Sequence, residues 1–192
     1  YSINKLTLDD IEVKNSGAGI EVKSASTSIV GIGSLVGYSA GVISSNSGGL
    51  YSDLDISYVN YENQAKATSS DLYIGGMIGY QAAATDNDAA ETGNDAAATG
   101  NTLGSKGNGV AYLGRITADL SERGAILGGI VGYYHTSESN DEAIAINSSV
   151  FGGEIIVEKP DEEPVIVGVT IGKATETIAL TKENNNAAVC ID

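Results

Sequence analysis

The chain has 192 residues, with 25 glycines and ten tyrosines but one phenylalanine, one methionine, two prolines and no tryptophan. Its 25 acids against ten bases leave a net charge of −15, which disfavours nucleic acid and anionic membrane surfaces, since lysine and arginine hold both. No stretch approaches the roughly 18 uninterrupted apolar residues of a membrane span, no signal peptide is recognisable, and the lone Cys190 permits no intramolecular disulfide.

From the start, Leu6, Leu8, Ile11, Val13, Ile20 and Val22 alternate with charged or polar residues, the pattern of strands with one wet face. Asn15-Ser16-Gly17-Ala18-Gly19 interrupts them and reads as a turn, because Asn and Gly tolerate positive φ. Then comes a phrase, Ile32-Gly33-Ser34-Leu35-Val36-Gly37-Tyr38, that organises the rest. It is followed by a polar turn, an Asn-Ser step at 46–47, and a strand with Leu54, Ile56 and Tyr58 on one face and Asp53, Asp55 and Ser57 on the other.

The phrase returns as Ile74-Gly75-Gly76-Met77-Ile78-Gly79-Tyr80 and as Leu127-Gly128-Gly129-Ile130-Val131-Gly132-Tyr133. A worn fourth copy, Val167-Gly168-Val169-Thr170-Ile171-Gly172-Lys173, keeps the spaced glycines and loses the tyrosine. First glycines Gly33, Gly75, Gly128 and Gly168 are 42, 53 and 40 residues apart. Asn147-Ser148-Ser149 follows the third copy and leads to a strand at 154–158; Thr177–Thr181 follows the fourth, and Asn184-Asn185-Asn186 closes the pattern. In the second unit, residues 81–109 are a low-complexity run of Ala, Asp, Asn, Thr and Gly without a helical apolar stripe, read as a long surface loop. Val110–Leu113 and Ile116–Leu120 return to strand pattern, and Pro160 and Pro164 bracket an exposed turn.

A period of about 40 with no amphipathic helix predicts an all-β fold, a right-handed parallel β-helix of about four ~40-residue repeats, forming one domain over residues 1–192 with the insertion at about 81–109. Each unit is expected to make two coils of ~20 residues, giving eight or nine coils and a rod of roughly 40 Å. Strict alternation across the phrase sets Ile74, Gly76, Ile78 and Tyr80 on one face and Gly75, Met77 and Gly79 on the other. Both faces are apolar or bare, so the strand is expected to be covered on both sides. The glycines admit a close neighbour, either another backbone or a tyrosine ring, and Tyr38, Tyr80 and Tyr133 are placed to stack as a ladder. Cys190 is expected to be a small buried apolar side chain. The start at Tyr1 without an initiator methionine is that of a processed chain or a piece of something longer.

These copies, with the Asn/Ser step and following strand, resemble the GLUG repeat of large bacterial surface and secreted proteins, over most of residues 32–181. Departures are Ser34 for a glycine, Val169 and Thr170 in the fourth copy, and Lys173 for the tyrosine. The resemblance implies a repetitive, non-enzymatic, extracellular or cell-surface segment of adhesin type. Its partners would be other domains or copies of the same protein, or a host glycan or protein. It implies no catalytic residue.

Elsewhere the residues supply little chemistry. His135 stands alone in a Tyr-Tyr-His-Thr-Ser stretch without a nucleophile elbow and reads as an exposed loop residue. One His and one Cys make no zinc set, and Asp86-Asn87-Asp88 lacks the glycine and distal glutamate of a calcium loop, leaving weak cation binding by acidic loops. Asp53, Asp55 and Asp119 are the one carboxylate set that acid–base cleavage of a polysaccharide could use, if coils align them, yet basic residues to hold an acidic glycan are few. No cofactor, metal or catalytic residue is assigned. The structural repeat set is Gly33, Gly37, Tyr38, Gly75, Gly76, Gly79, Tyr80, Gly128, Gly129, Gly132, Tyr133, Gly168 and Gly172. Two other classes stay open: a self-assembling filament subunit, through the strand edges at the solenoid ends, and a polysaccharide-binding or polysaccharide-cleaving domain.

Overall fold

The computed structural model describes residues 5–7, 11–17, 19–24, 30–39, 42–44, 49–60, 72–82, 102–104, 109–120, 124–135, 144–147, 149–158, 164–174, 178–181, 184–185 and 188–191. They form strands and corners, with no helix among them. The first coil runs through β1 (Lys5–Thr7), β2 (Ile11–Val13), β3 (Ile20–Ser24), β4 (Val30–Ile32) and β5 (Val36–Ser39). The second has β6 (Val42–Ser44), β7 (Leu50–Ser52), β8 (Ile56–Asn60), β9 (Leu72–Gly75) and β10 (Ile78–Ala82). In the third are β11 (Thr102–Leu103), β12 (Val110–Tyr112), β13 (Arg115–Asp119), β14 (Ala125–Gly128) and β15 (Val131–His135). The fourth has β16 (Ile144–Asn147), β17 (Ser149–Phe151), β18 (Glu154–Glu158), β19 (Val165–Gly168) and β20 (Ile171–Ala174). Above it lie β21 (Ile178–Thr181), β22 (Asn184–Asn185) and β23 (Ala188–Ile191).

Strands five apart in the chain pair, always in parallel, giving five sheets: three of five strands, beginning at β1, β2 and β3, and two of four, beginning at β4 and β5. This is a parallel β-helix in which one repeat makes one coil. The expected two coils per repeat, and the eight or nine coils, are corrected: five short strands with sharp corners use up the ~40 residues of one circuit. Five strands at ~4.8 Å spacing span about 19 Å along the axis, half the rod length expected.

Two further expectations change. Gln81 and Ala82 belong to β10, and Thr102–Leu103 pairs with β6 and β16, so the insertion at 81–109 contains strand at both ends; 83–101 lies outside the described residues. Asn184–Asn185 does not close the pattern, because β22 pairs with β17 and β23 with β18. The turn at 15–19 is as read: Gly17 and Gly19 take φ of 115° and 64°, and Gly17 N–H donates to Asn15 Oδ1 at 2.8 Å.

Core columns follow the register. In the third sheet Ile20, Ile56, Ile116 and Ile155 stack coil on coil, beside Val22, Tyr58, Ala118 and Val157, where large Tyr58 is followed by small Ala118. Each buried isoleucine contributes roughly 1.5–3 kcal/mol. The second sheet stacks Val13, Ser52, Tyr112 and Phe151, the two rings 6.0 Å apart and 12° from parallel. Cys190 falls in register with Ile156, in the column of Glu21, Ser57 and Thr117 rather than in the inward isoleucine column; its side chain lies outside the described residues.

Tyr112 donates its hydroxyl to Leu54 O at 2.8 Å, and burial first, then the charge of Asp55, pushes its phenol far above the ordinary value of about 10. A proton retained in the fold but lost in the unfolded chain gives stability that is whole below pH ~10 and falls by up to ~1.4 kcal/mol per pH unit above it. Melting temperature should therefore drop as pH rises past about 10, and less steeply in Tyr112→Phe. Equal slopes in the two proteins would rule out Tyr112 as the source.

Candidate functional site

The phrase does not form one straight strand. It is two strands joined by a corner, Gly76-Met77 in the second coil and Gly129-Ile130 in the third. Residues 72–81 and 124–132 are all buried, Met77 and Ile130 completely, and Gly76 and Gly129 lie against the rings of Tyr112 and Phe151 from the second sheet. The corner therefore points into the molecule, and the fourth and fifth sheets form a double layer driven into the core like a wedge. Apolar side chains leave it on both sides: Leu72, Ile74 and Leu127 from the fourth sheet, Ile78, Val131 and Tyr134 from the fifth, all in one core cluster.

Stacked sheets normally stand about 10 Å apart with side chains between them. In the wedge the backbones themselves touch. A Cβ at Gly33, Gly75 or Gly128 would meet the N of Gly79, Gly132 or Gly172 in the following coil, at 2.8, 2.6 and 2.6 Å. Conversely, a Cβ at Gly79 would overlap Ile32 N, and one at Gly132 would lie 2.9 Å from Ile74 N, both in the preceding coil. The second and sixth positions of the phrase are thus halves of one interlock between successive coils.

The third position has its own partner. Gly76 accommodates Tyr112 and Gly129 accommodates Phe151, each from the coil above. Where the phrase has Ser34, the second-sheet residue one coil up is Ser52; where it has Val169, it is Asn185. Glycine and ring come and go together. The ring admitted here is not one of the ladder tyrosines, which lie past the corner.

Corner backbones are laddered as well. Leu35 and Val36 donate to Met77 O at 3.1 and 3.0 Å, Met77 and Ile78 to Ile130 O at 3.0 Å each, and Ile130 and Val131 to Thr170 O at 2.9 and 3.1 Å. Each corner donates to the next coil.

Tyr38, Tyr80 and Tyr133 occupy one register column of the fifth sheet, continued by Lys173. Ile78 and Gln81, and likewise Val131 and Tyr134, are three residues apart yet both inward, so the alternation slips by one across Gly79 and Gly132 and turns Tyr80 and Tyr133 away from the main core. This corrects the alternation expected through the phrase. Tyr38 and Tyr80 stack at 5.1 Å and 13°, whereas Tyr80 and Tyr133 meet edge to face at 5.5 Å and 69°. Tyr73 of the fourth sheet wedges between the latter two, 4.9 Å from Tyr80 and 5.0 Å from Tyr133. Burial raises the Tyr133 phenol. Lys173 Nζ lies 5.3 Å from the Tyr133 ring centroid, and Tyr133 Oη is 3.3 Å from Nδ1 of His135, which is exposed but ends a strand rather than sitting in a loop.

Tyr73 was not legible as part of this column. Its register partners are Gly31 and Ile126, and Ile166 continues the column beyond Ile126; none shares its residue type. Because Gly31 puts no ring beside Tyr38, that tyrosine is 54% exposed while Tyr80 is 7% exposed.

The carboxylates are divided. Asp53 and Asp55 lie in the corner before β8 rather than on the strand. Asp53 Oδ1 accepts from Asn15 N–H at 2.5 Å in the coil below, and its Oδ2 from Tyr51 Oη at 3.1 Å. Asp55 Oδ1 accepts from Arg115 N–H at 2.8 Å in the coil above, and the Arg115 guanidinium pairs with Glu154 at 2.9 Å. Burial, then the hydrogen bond to Asp53, raises the Tyr51 phenol. Asp119 pairs in register with Val59 and Glu158, four residues or about 13 Å along the sheet from Arg115. Coil alignment therefore does not bring Asp119 to Asp53 and Asp55. A shallow groove of about 180 Å³ beside Asp55 is lined by Ile20, Glu21, Ser57, Arg115 and Thr117.

No group of three or more metal-ligating side chains occurs among the described residues, and Asp86–Asp88 lies outside them. No helix of the described residues is long and apolar enough to cross a membrane. Searches against protein-family models, curated proteins and solved structures return no match to this chain. Fold and site define the class by themselves: a five-sheet parallel β-helix with an internal glycine wedge and a tyrosine column at the wedge's mouth.

Proposed function

We propose that this chain is a non-enzymatic structural and adhesive module of the bacterial cell surface or of a secreted protein, as its likeness to GLUG repeats implies, and that it contacts a glycan or protein partner through the tyrosine column. The observation that carries this reading is Tyr38. It is the most exposed large apolar side chain among the described residues, and it is stacked on the buried ring of Tyr80. A ring held rigidly in water loses little entropy when a sugar face or an aromatic side chain packs on it. Against an enzymatic role, Asp53 and Asp55 spend carboxylate oxygens on backbone N–H groups of neighbouring coils.

Binding of the purified chain to panels of immobilised glycans and matrix proteins tests the proposal. Tyr38→Ser should lower binding to any hit about tenfold, a loss of ~1.4 kcal/mol, while leaving thermal unfolding nearly unchanged. Undiminished binding would remove the tyrosine column as the contact surface. A second reading, assembly into filaments, draws on the edges of β1–β5 and β19–β23, which carry no further strand among the described residues.

A further inference from the structure

The outer face of the third sheet carries a polar surface of its own, set by register. Ile20, Ile56 and Ile116 stack inward from β3, β8 and β13. One residue before each stand Gly19, Asp55 and Arg115, and one residue after each stand Glu21, Ser57 and Thr117. Neighbours of an inward residue face outward, so these positions form a surface grid of two columns across three successive coils. Its long side chains occupy opposite corners, Arg115 in the third coil and Glu21 in the first, and both are exposed. Between them lie the shorter Asp55, Ser57 and Thr117 and the bare Gly19, where a Cβ would meet Asp55 O at 2.6 Å. This pattern of long and short side chains makes the groove of about 180 Å³ beside Asp55. At ~3.3 Å per residue and ~4.8 Å per coil, its diagonal from Glu21 to Arg115 is about 12 Å between Cα atoms.

Two of the charged groups are held in place. Asp55 Oδ1 accepts from the Arg115 N–H at 2.8 Å, and Arg115 Nε donates to Glu154 Oε2 at 2.9 Å. The lining offers carboxylate acceptors at Asp55 and Glu21, guanidinium donors at Arg115, and hydroxyls at Ser57 and Thr117 that can do both. An anion entering the groove meets two carboxylates, and a cation meets a guanidinium. A neutral ring dense in hydroxyls meets neither penalty. Adjacent hydroxyls donate as a pair to one carboxylate, and the oxygens of the ring accept from the guanidinium. The volume suits one such ring and is well below the ~300–1,000 Å³ of pockets that enclose a drug-sized ligand.

We propose that this groove binds a single neutral sugar unit of a glycan, with Glu21 and Asp55 accepting from its hydroxyls, Arg115 donating to its oxygens and Ser57 forming the floor. Partners fixed before binding lose little entropy when the sugar arrives. The groove lies on the third sheet and Tyr38 on the fifth, so this goes beyond adhesion through the tyrosine column, and either idea can fail without the other.

The test titrates the isotope-labelled chain with the methyl glycosides of glucose, galactose and mannose, each beside its uronic acid, and follows backbone amides by NMR. At least one neutral glycoside is expected to give saturable shifts at residues 55–57 and 115–117, with a Kd on the order of 1–10 mM, and its uronic acid to bind about fivefold more weakly or less. Ser57→Tyr fills the floor and should abolish these shifts, while Glu21→Gln should weaken binding about fivefold. Both substitutions face outward and should leave the melting temperature unchanged, and Tyr38→Ser should leave sugar binding unchanged. Absence of any saturable shift up to about 50 mM glycoside would overturn the proposal. So would shifts confined to the tyrosine column, a uronic acid bound as tightly as its neutral parent, undiminished binding by either groove variant, or loss of binding in Tyr38→Ser.

Discussion

Gly79→Val is expected to abolish cooperative unfolding near the wild-type midpoint, or to lower stability by about 4 kcal/mol or more, a large part of the 5–15 kcal/mol of a typical domain. The cost is not conformational, because Gly79 is absent from the described glycines with positive φ, which are Gly17, Gly19 and Gly104. It is a matter of space. A Cβ at Gly79 would overlap Ile32 N and approach Gly37 O at 2.6 Å and Gly31 C at 2.7 Å, all main-chain atoms. Overpacking against side chains is commonly relieved by rotamer changes at 1–3 kcal/mol, but these backbones are tied into the fourth and fifth sheets. Gly37→Ala serves as the graded control, since a Cβ there meets one oxygen, Gly31 O, at 2.8 Å and otherwise has room. Thermal unfolding of the two variants should fall in that order. An unchanged midpoint for Gly79→Val would sink the account of touching backbones.

Tyr112→Ala should cost about 3–5 kcal/mol, through lost burial and the cavity left against Gly76. The ring fills the hollow that the missing Cβ of Gly76 creates, stacks on Phe151, and satisfies Leu54 O through its hydroxyl. Tyr112→Phe keeps the first two and loses only the hydrogen bond, so about 1 kcal/mol is expected for it. Denaturant unfolding of the pair separates packing from polarity. If alanine and phenylalanine variants lose the same stability, the ring is not what supports the corner.

These two substitutions act on the same object from opposite sides. Gly79 keeps the two layers of the wedge in contact, and Tyr112 supports its tip. Neither residue faces solvent enough to bind a partner. That division explains why the phrase is repeated so closely while the surface around it varies: the repeat specifies how one coil sits on the next, whereas exposed positions outside it such as Leu113 and Ile166 are free of that constraint.

Much of the candidate site was legible from the chain. The tyrosine column follows from equal spacing of Tyr38, Tyr80 and Tyr133 within the copies, since residues at equal places in a stacked repeat fall in register. Exposure of His135 was also readable. Tyr73 was not, because its column holds Gly31, Ile126 and Ile166 and leaves no periodic mark. The carboxylates were misjudged for a related reason: Asp53 and Asp55 alternate as a strand would, yet they sit in a corner, where their oxygens cap Asn15 and Arg115.

Composition and periodicity already make this protein all β, repeating about every 40 residues, with parallel strands stacked and glycines placed where something must come close. Those properties are local or periodic, and each copy of the phrase states them again. That one repeat makes one coil, and that the phrase turns inward at Gly76-Met77 instead of lying along the wall, emerges only when the coils are packed together. Alternation reports which face of a strand is apolar, and the phrase is apolar on both. A strand of that kind has no preferred outside, so its direction is chosen by what waits across the core, the rings of Tyr112 and Phe151 and the backbone of the next coil.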